Sequence, residues 1–257
     1  MENRKLIKGY PLIFKYLGVF LILIGLMNLL PLSMLIFYPN RASDAVFFII
    51  PALISISIGL VLSSFKRGYE KGNLEHHQDA VMTFLIWIVA ILVSSLPFLL
   101  SGQFNLTQSI FEATSGYSTT GLTVVDVENT SEVFLFHRSL MQFFGGVGLI
   151  LVLTSAVSDK YGMKLYYAEG HVDKLLPNLV KSARLIVTLY FLYVVVGTIF
   201  YIIFGMPAFD AINHAITSVA TGGFSTKAAS IGHYNSLPIE IITMVLMILG
   251  STNLIIH

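Results

Sequence analysis

Six stretches of this sequence are apolar enough to enter a membrane: five are complete candidate spans, and we expect the sixth to be cut short. A transmembrane helix needs about 20 largely apolar residues, because the hydrocarbon core is about 30 Å thick. The complete candidate spans are residues 12–37, 45–65, 80–100, 133–157 and 185–204, and a sixth runs from Pro238 to His257. The sequence therefore predicts an all-α polytopic membrane protein.

The composition excludes several other classes of protein. Apolar residues make up 55% of the 257 positions and charged residues 11%, whereas soluble domains carry about a quarter charged residues. A net charge of +1 argues against nucleic acid as a partner. No cysteine occurs, which excludes disulfides, zinc thiolate sites and cysteine nucleophiles. The first apolar run is too long for a secretory signal, so we interpret it as a retained span.

The distribution of lysine and arginine predicts the orientation. With the N-terminus in the cytoplasm, alternation of the spans puts 12 of the 15 basic residues on the cytoplasmic side and Arg41, Arg138 and Lys227 outside. Cytoplasmic loops of membrane proteins carry such an excess of Lys and Arg. We therefore expect a multi-pass protein of the inner or plasma membrane, surrounded by membrane lipid, with a cytoplasmic N-terminus.

Two of the predicted outer links contain a short apolar stretch followed by a run of Thr, Ser and Gly. The apolar stretches, residues 106–117 and 209–219, are too short to span and are typical of re-entrant segments. Ser109 and Glu112, at capping-box spacing, predict the helix start of the first stretch. Asp210, three residues after a proline, predicts the start of the second.

The two Thr/Ser/Gly runs repeat each other. An offset of 102 residues places residues 113–123 over residues 215–225, with identical pairs at Ala113/Ala215, Thr119/Thr221 and Gly121/Gly223. A repeat of membrane hairpins, each with a dipping loop, allows equivalent loops to meet around one axis. The sequence thus predicts two related pore loops.

Backbone that is not helical is stable at membrane depth only where it is buried in protein or lines water. A ring of backbone carbonyl oxygens can replace the hydration shell of potassium, and glycine permits the positive φ that helps to aim them. We therefore predict that both segments face a pore, where their carbonyl oxygens can take the place of the water around a cation such as potassium. The candidate residues for this role are Ser118, Thr119, Thr120, Gly121, Leu122, Ala220, Thr221, Gly222, Gly223 and Phe224.

These runs, with Gly145-Gly146-Val147-Gly148, resemble the Trk/Ktr/HKT superfamily of potassium transporters, closest to its bacterial TrkH branch. The resemblance covers the whole chain. It implies a leading helix pair, four membrane–pore–membrane repeats and one filter glycine per repeat, of which Gly121 and Gly223 match the first two. A glycine at the first position implies potassium rather than sodium. The resemblance also implies a cytoplasmic nucleotide-binding regulatory subunit and a homodimer of the full-length protein.

On this basis, residues 1–75 form the leading helix pair, residues 76–178 the first repeat and residues 179–257 an incomplete second repeat. Two repeats are missing, so we expect either a piece of a longer product or a half-length form that assembles with another subunit. The predicted function is potassium uptake. No resident cofactor and no catalytic residue are expected, because conduction needs no covalent chemistry.

Two other functions stay open. The first is a non-conducting assembly subunit, which the missing repeats allow. The second is a membrane-embedded enzyme, which would need facing nucleophile, base or carboxylate groups within its spans. The sequence contains neither a G-x-S-x-G elbow nor an H-E-x-x-H pair. Ion flux in reconstituted vesicles separates transport from both alternatives.

Several charged residues have two interpretations. Glu112 lies at membrane depth, where it either pairs with Arg138 or attracts cations directly. Asp126, Glu128 and Glu132 either concentrate cations at an outer mouth or form an ordinary solvated loop. These alternatives require geometry to decide.

Other features also remain open at this stage. The glycines at positions 145, 146 and 148 either allow close helix packing or form a gating hinge. Residues 160–184 form either a docking surface for a cytoplasmic partner or a lipid-facing connector. The seven histidines show no spacing that sets two ligands on one helical face, so no metal-binding site is predicted.

Overall fold

The structure, a computed structural model, describes residues 10–64, 78–149 and 179–252, and the regular elements in these ranges are helices. The α-helices are α1 (Tyr10–Met27), α2 (Ala45–Ser64), α3 (Gln78–Leu100), α4 (Leu106–Tyr117), α5 (Glu132–Val147), α6 (Leu179–Ile203), α7 (Ala208–Val219) and α8 (Leu237–Ser251). Three 3-10 helices cover Leu30–Ile36, Pro39–Asp44 and Ser230–Tyr234. The all-α prediction is confirmed.

Four segments of the described chain are long and apolar enough to cross a membrane: Ile13–Ile36, Pro39–Ser64, Ala80–Leu100 and Leu185–Ile203. They match the first, second, third and fifth predicted spans. The predicted sixth span contains α8, a shorter apolar helix. The predicted fourth span begins with α5, while its residues 150–157 and residues 160–178 of the predicted docking segment lie outside the described residues.

The first predicted span is not one continuous α-helix. Helix α1 ends at Met27, and the chain continues as the 3-10 helix Leu30–Ile36. Pro31 has no backbone N–H to donate to the carbonyl of Met27, and its ring disfavours an α-helix through this point. The carbonyl of Ile24 accepts from both the backbone N and the side-chain Nδ2 of Asn28, each at 3.0 Å. The predicted span over residues 12–37 is therefore confirmed as the membrane-length segment Ile13–Ile36, which changes from α-helix to 3-10 helix within its length.

Helices α1 and α2 pack through glycine. A Cβ added to Gly18 would lie 2.5 Å from Ser63 N, and one added to Gly59 would lie 2.6 Å from Gly18 O. Ser55 Oγ also donates to Leu21 O at 2.7 Å. Helix association in lipid depends on such close packing and on hydrogen bonds between helices, since lipid is as apolar as the side chains. The two backbones therefore lie in direct contact.

The remaining helices form two similar units. Helix α4 packs against α3 and α5, and α7 packs against α6 and α8. The buried apolar side chains form one cluster from α1–α5 and a second from α6–α8, which includes Val147 at the end of α5. Helix α5 also packs against α7 and so joins the two units. Each short helix is thus enclosed by a long helix before it and another helix after it.

We predict that Gly59→Leu destabilises the α1–α2 pair. The new side chain would overlap the backbone of α1, and overpacking costs about 1–3 kcal/mol. Val61 is 67% exposed on the same helix, so Val61→Leu adds bulk without a clash and is the matched control. The measurement is the thermal unfolding of the detergent-purified protein. Equal unfolding temperatures for the two variants would contradict the proposed backbone contact.

Candidate functional site

The two short helices begin differently. Helix α4 starts with a capping box in which Asn105 Oδ1 accepts from Gln108 N at 2.9 Å and Gln108 Oε1 accepts from Asn105 N at 3.0 Å. The predicted capping box of Ser109 and Glu112 was therefore wrong, because the same spacing occurs four residues earlier with an equally good cap. Helix α7 starts after Pro207 and carries Asp210 in its first turn, as expected.

After each short helix the chain adopts the same irregular conformation. We call residues 118–123 the first Thr/Gly segment and residues 220–225 the second. The φ angles are +52° at Thr119 and +51° at Thr221, and +79° at Gly121 and +80° at Gly223. Matching turn hydrogen bonds join Thr120 N to Ser115 O at 3.0 Å and Gly222 N to Thr217 O at 2.8 Å. The 102-residue repeat is therefore a repeat of backbone geometry.

The two Thr/Gly segments touch each other. A Cβ added to Gly121 would overlap the carbonyl oxygen of Gly222, so this glycine is required by contact as well as by its positive φ. Around Gly223, no heavy atom of the described chain lies within 4 Å of an added Cβ. The structure thus brings the predicted residues of both repeats together, with Gly121 at the point of contact.

Buried side chains fix two carbonyl groups of these segments. Ser115 Oγ donates to Leu122 O at 2.6 Å, and Gln142 Nε2 donates to Gly222 O at 2.8 Å. Ser115 is 4% exposed and Gln142 is fully buried. A carbonyl oxygen has two lone pairs, so one hydrogen bond sets its direction and leaves a second acceptor position. Side chains of α4 and α5 therefore hold these carbonyl groups in place.

Gln142 in α5 clamps the second Thr/Gly segment and was missed by the sequence analysis. Its Oε1 accepts from Phe224 N at 3.1 Å, while its Nε2 donates to Gly222 O. The amide thus bridges the backbone on both sides of Gly223. A glutamine within a predicted span is a signal that could have been used, because polar side chains in membranes commonly hydrogen-bond between helices.

Arg138 connects the two segments. Its Nε donates to Glu112 Oε1 at 2.7 Å, its second terminal nitrogen to Thr123 Oγ1 at 2.9 Å and its first to Ser225 O at 3.0 Å. The guanidinium also lies 4.2 Å from the centre of the Phe224 ring. The side chains of Arg138 and Glu112 are 1% and 0% exposed. Of the two interpretations for Glu112, the structure supports the ion pair.

His214 occupies the position of Glu112 in the second repeat, 102 residues later. Its Nε2 lies 2.9 Å from Ser225 Oγ, and Ser225 is the counterpart of Thr123, whose hydroxyl donates to Glu112 at 2.8 Å. Its Nδ1 lies 2.8 Å from Asp210 O. In each repeat, a titratable side chain of the short helix thus contacts the hydroxyl group at the equivalent position of the Thr/Gly segment. In the first repeat this side chain, Glu112, is also ion-paired with Arg138.

The glycines of α5 serve packing. A Cβ on Gly145 would overlap the carbonyl of Tyr117, and one on Gly146 would lie 2.9 Å from Ala220 Cα. The helix therefore approaches the starts of both Thr/Gly segments. Gly148 differs from the other two, since it has a φ of +97° and ends α5.

Gly250 in α8 repeats the role of Gly145. A Cβ there would overlap the carbonyl of Val219, the last residue of α7, as Gly145 contacts the last residue of α4. Gly250 was not identified from the sequence. The signal was weak, because its separation from Gly145 is 105 residues rather than the 102 of the loops.

The acidic residues that follow the first Thr/Gly segment have different contacts. Glu132 accepts from Arg41 Nε at 2.9 Å and is therefore partly neutralised. Asp126 is exposed, and the hydrogen bond from Asn129 Nδ2, at 2.7 Å, lowers the pKa of its carboxyl. Asp126 lines a cavity of about 400 Å³ in front of the Thr/Gly segments. Its carboxylate therefore lines the same cavity as Gly121 and Gly223 of the two segments.

Comparisons with known proteins agree with this architecture. The TrkH family model, described as a cation transport protein, matches residues 45–257. The chain is 33% identical over 252 residues to the Trk system potassium uptake protein TrkH of Salmonella typhimurium, covering 95% of this chain and 52% of that protein. It is 32% identical over 246 residues to the Trk system potassium uptake protein TrkG of Escherichia coli, covering 92% and 50%.

A solved structure shows the same fold. The crystal structure of the potassium transporter TrkH from Vibrio parahaemolyticus matches with a TM-score of 0.79 and 28% identity, over 95% of this chain and 50% of that chain. The present chain spans about half the length of the curated relatives it matches. The family match, the relatives and the fold agree, and the chain belongs to the TrkH family of cation transport proteins.

Proposed function

We propose that this chain supplies two pore-loop repeats of a potassium uptake pathway. The observation that carries this proposal is the pair of Thr/Gly segments, which share their backbone conformation and meet at Gly121. Relatives named as potassium uptake proteins support potassium as the ion. Those relatives are about twice as long, so conduction is proposed to need two further repeats. We call this chain together with those repeats the complete transporter.

The proposed filter consists of residues 118–122 and 220–224. Potassium must exchange its hydration shell for oxygen ligands, and backbone carbonyls supply them without covalent chemistry. Ser115 and Gln142 hold the carbonyls of Leu122 and Gly222. In this proposal they act as positioning residues, because a ligand ring selects an ion only if its oxygens keep their places. The exposed Asp126 raises the local concentration of cations at the entrance.

The proposal also covers the arrangement of repeats in the chain, its orientation and its assembly. Residues 1–75 form a leading helix pair, and residues 76–178 and 179–257 form the two repeats. The separate clusters of α1–α5 and α6–α8 support the boundary between the two repeats. The charge distribution supports a cytoplasmic N-terminus in the inner membrane. A homodimer of the complete transporter and a cytoplasmic nucleotide-binding subunit are proposed from the family resemblance, with residues 160–184 as the docking surface.

We predict that the complete transporter restores growth of a potassium-uptake-deficient bacterium at low potassium, and that Gly121→Ser impairs it. The serine side chain would overlap Gly222 O, and the serine backbone would have to keep a strained positive φ. The carbonyl oxygens of the proposed filter would therefore move, and the potassium-to-sodium permeability ratio should fall about tenfold. Gly232→Ser is the control, because the described chain has nothing within 4 Å of that position. An unchanged ratio in Gly121→Ser would remove Gly121 from the filter, and absence of growth despite membrane expression would contradict the proposed function.

We also predict that Gln142→Leu lowers potassium flux at least tenfold. Leucine leaves Gly222 O and Phe224 N without their partner, and a buried unsatisfied group costs about 1–3 kcal/mol. The measurement is flux into vesicles, normalised to the amount of folded transporter. Gln103→Leu, in an exposed outer position, is the control. Equal fluxes in the two variants would show that the clamp has no part in conduction.

A further inference from the structure

We infer that Lys227 is a tethered cation at the outer entrance which lowers potassium occupancy there, and that Asp210 holds its ammonium group to one side. This inference rests on the proposed function, because it assigns a role to a side chain beside the proposed filter. Lys227 was identified in the sequence only as one of three outer basic residues. Its location relative to two cavities gives it a specific role.

Lys227 lies between the entrance and a side cavity. The entrance cavity of about 400 Å³ is lined by Lys227 together with Gly121 and Gly223 of the two segments. The side cavity of about 550 Å³ is lined by Lys227 together with Asp210 and Glu132. The backbone is fixed next to the second segment, since Lys227 N donates to Ser225 Oγ at 2.9 Å. The side chain can therefore affect cations that enter in front of the filter.

Asp210 draws the ammonium group towards the side cavity. Lys227 Nζ lies 3.4 Å from Asp210 Oδ2, and the side chains are 32% and 6% exposed. Asp210 Oδ1 accepts from Thr226 Oγ1 at 2.6 Å, which fixes the carboxylate. A separation of 3.4 Å is longer than a strong charge-assisted hydrogen bond, which is about 2.7–2.9 Å. The carboxylate is thus fixed, whereas the ammonium is held loosely.

The first repeat shows that the fold does not need a lysine at this position. Val125 is the counterpart of Lys227, and its N–H donates to Thr123 Oγ1 at 3.0 Å as Lys227 N does to Ser225 Oγ. Val125 is 6% exposed and apolar. The same backbone geometry therefore forms with an uncharged side chain. The positive charge of the second repeat is an addition to the loop and not a requirement of its conformation.

Of the two basic residues that line the entrance cavity, Lys227 has the greater effect on an entering ion. The charged residues that line this cavity are Asp126, Arg138 and Lys227. Arg138 is buried and neutralised by Glu112. On the side-cavity wall, the charged residues are Glu128, Glu132, Asp210 and Lys227, and Glu132 is paired with Arg41. Removal of the lysine charge therefore makes the entrance more attractive to cations.

The test measures rubidium or potassium uptake by the complete transporter at several external concentrations. Lys227→Met is expected to lower the ion concentration for half-maximal uptake about two- to fivefold. Coulomb's law gives a change of this size for one charge several ångströms from the ion in a solvated cavity. The effect should disappear at about 1 M of an impermeant salt, where the Debye length falls to about 3 Å. Lys227→Arg, which keeps the charge at the entrance cavity, should leave the value unchanged.

Asp210→Asn tests the tether. Asparagine still accepts from Thr226 but no longer attracts the ammonium, so the half-maximal concentration should rise. Adding Lys227→Met to Asp210→Asn should abolish that rise, an outcome that a purely structural ion pair does not produce. If Asp210→Asn does not fold, Lys227→Met alone decides, because its side chain is one-third exposed.

An unchanged or raised half-maximal concentration in Lys227→Met would overturn the inference. A lowered value that persists at high salt would also overturn it, because the effect would then not be electrostatic. Failure of the unaltered complete transporter to take up either ion would instead overturn the proposed function, and this inference with it. The unaltered protein therefore separates the two failures.

Discussion

The relative placement of the two repeats depends on the buried Arg138. Arg138 places one guanidinium between α5, the carboxylate of Glu112 in α4 and both Thr/Gly segments, through Thr123 Oγ1 and Ser225 O. A buried charge is stable only when it is paired and its hydrogen bonds are satisfied, and loss of one partner costs about 3–5 kcal/mol. A change in the relative position of the two repeats would break at least one of these contacts. The arginine therefore adds a buried polar link to the packing of α5 against α7 and fixes the register between the two repeats.

The other contacts of the site extend this constraint. Irregular backbone at membrane depth requires a partner for each polar group, and the segments obtain theirs from turn hydrogen bonds, from Ser115 and from Gln142. Gly145 and Gly250 allow the helices behind to reach the ends of α4 and α7. Each Thr/Gly segment is thus an irregular stretch of backbone that is held on one side by protein. In the proposed function, the carbonyl oxygens on its other side ligate the ion.

Much of this architecture follows from the sequence, because the length of each apolar run and the 102-residue repeat are visible directly in the order of the residues. They predicted the spanning helices, the two short helices and the related loops. The capping box was wrong because Ser109 and Asn105 head equivalent patterns and the sequence does not say which one starts the helix. The clamp by Gln142 joins residues about 80 positions apart, and the pairing of Lys227 with Asp210 depends on how a loop folds back on its helix. Such contacts arise from packing and have no local signature.

In the proposed function, the shape of the Arg138 guanidinium, and not only its charge, holds the two segments in the geometry that conducts potassium. Lysine keeps the charge but is a compact group without the planar fork that reaches Glu112, Thr123 and Ser225 together. The most direct measurement is the potassium-to-sodium permeability ratio of Arg138→Lys in the complete transporter, normalised to folded protein. A ratio that falls about tenfold is the predicted result. A ratio equal to that of the unaltered transporter would contradict the account, because charge alone would then be sufficient.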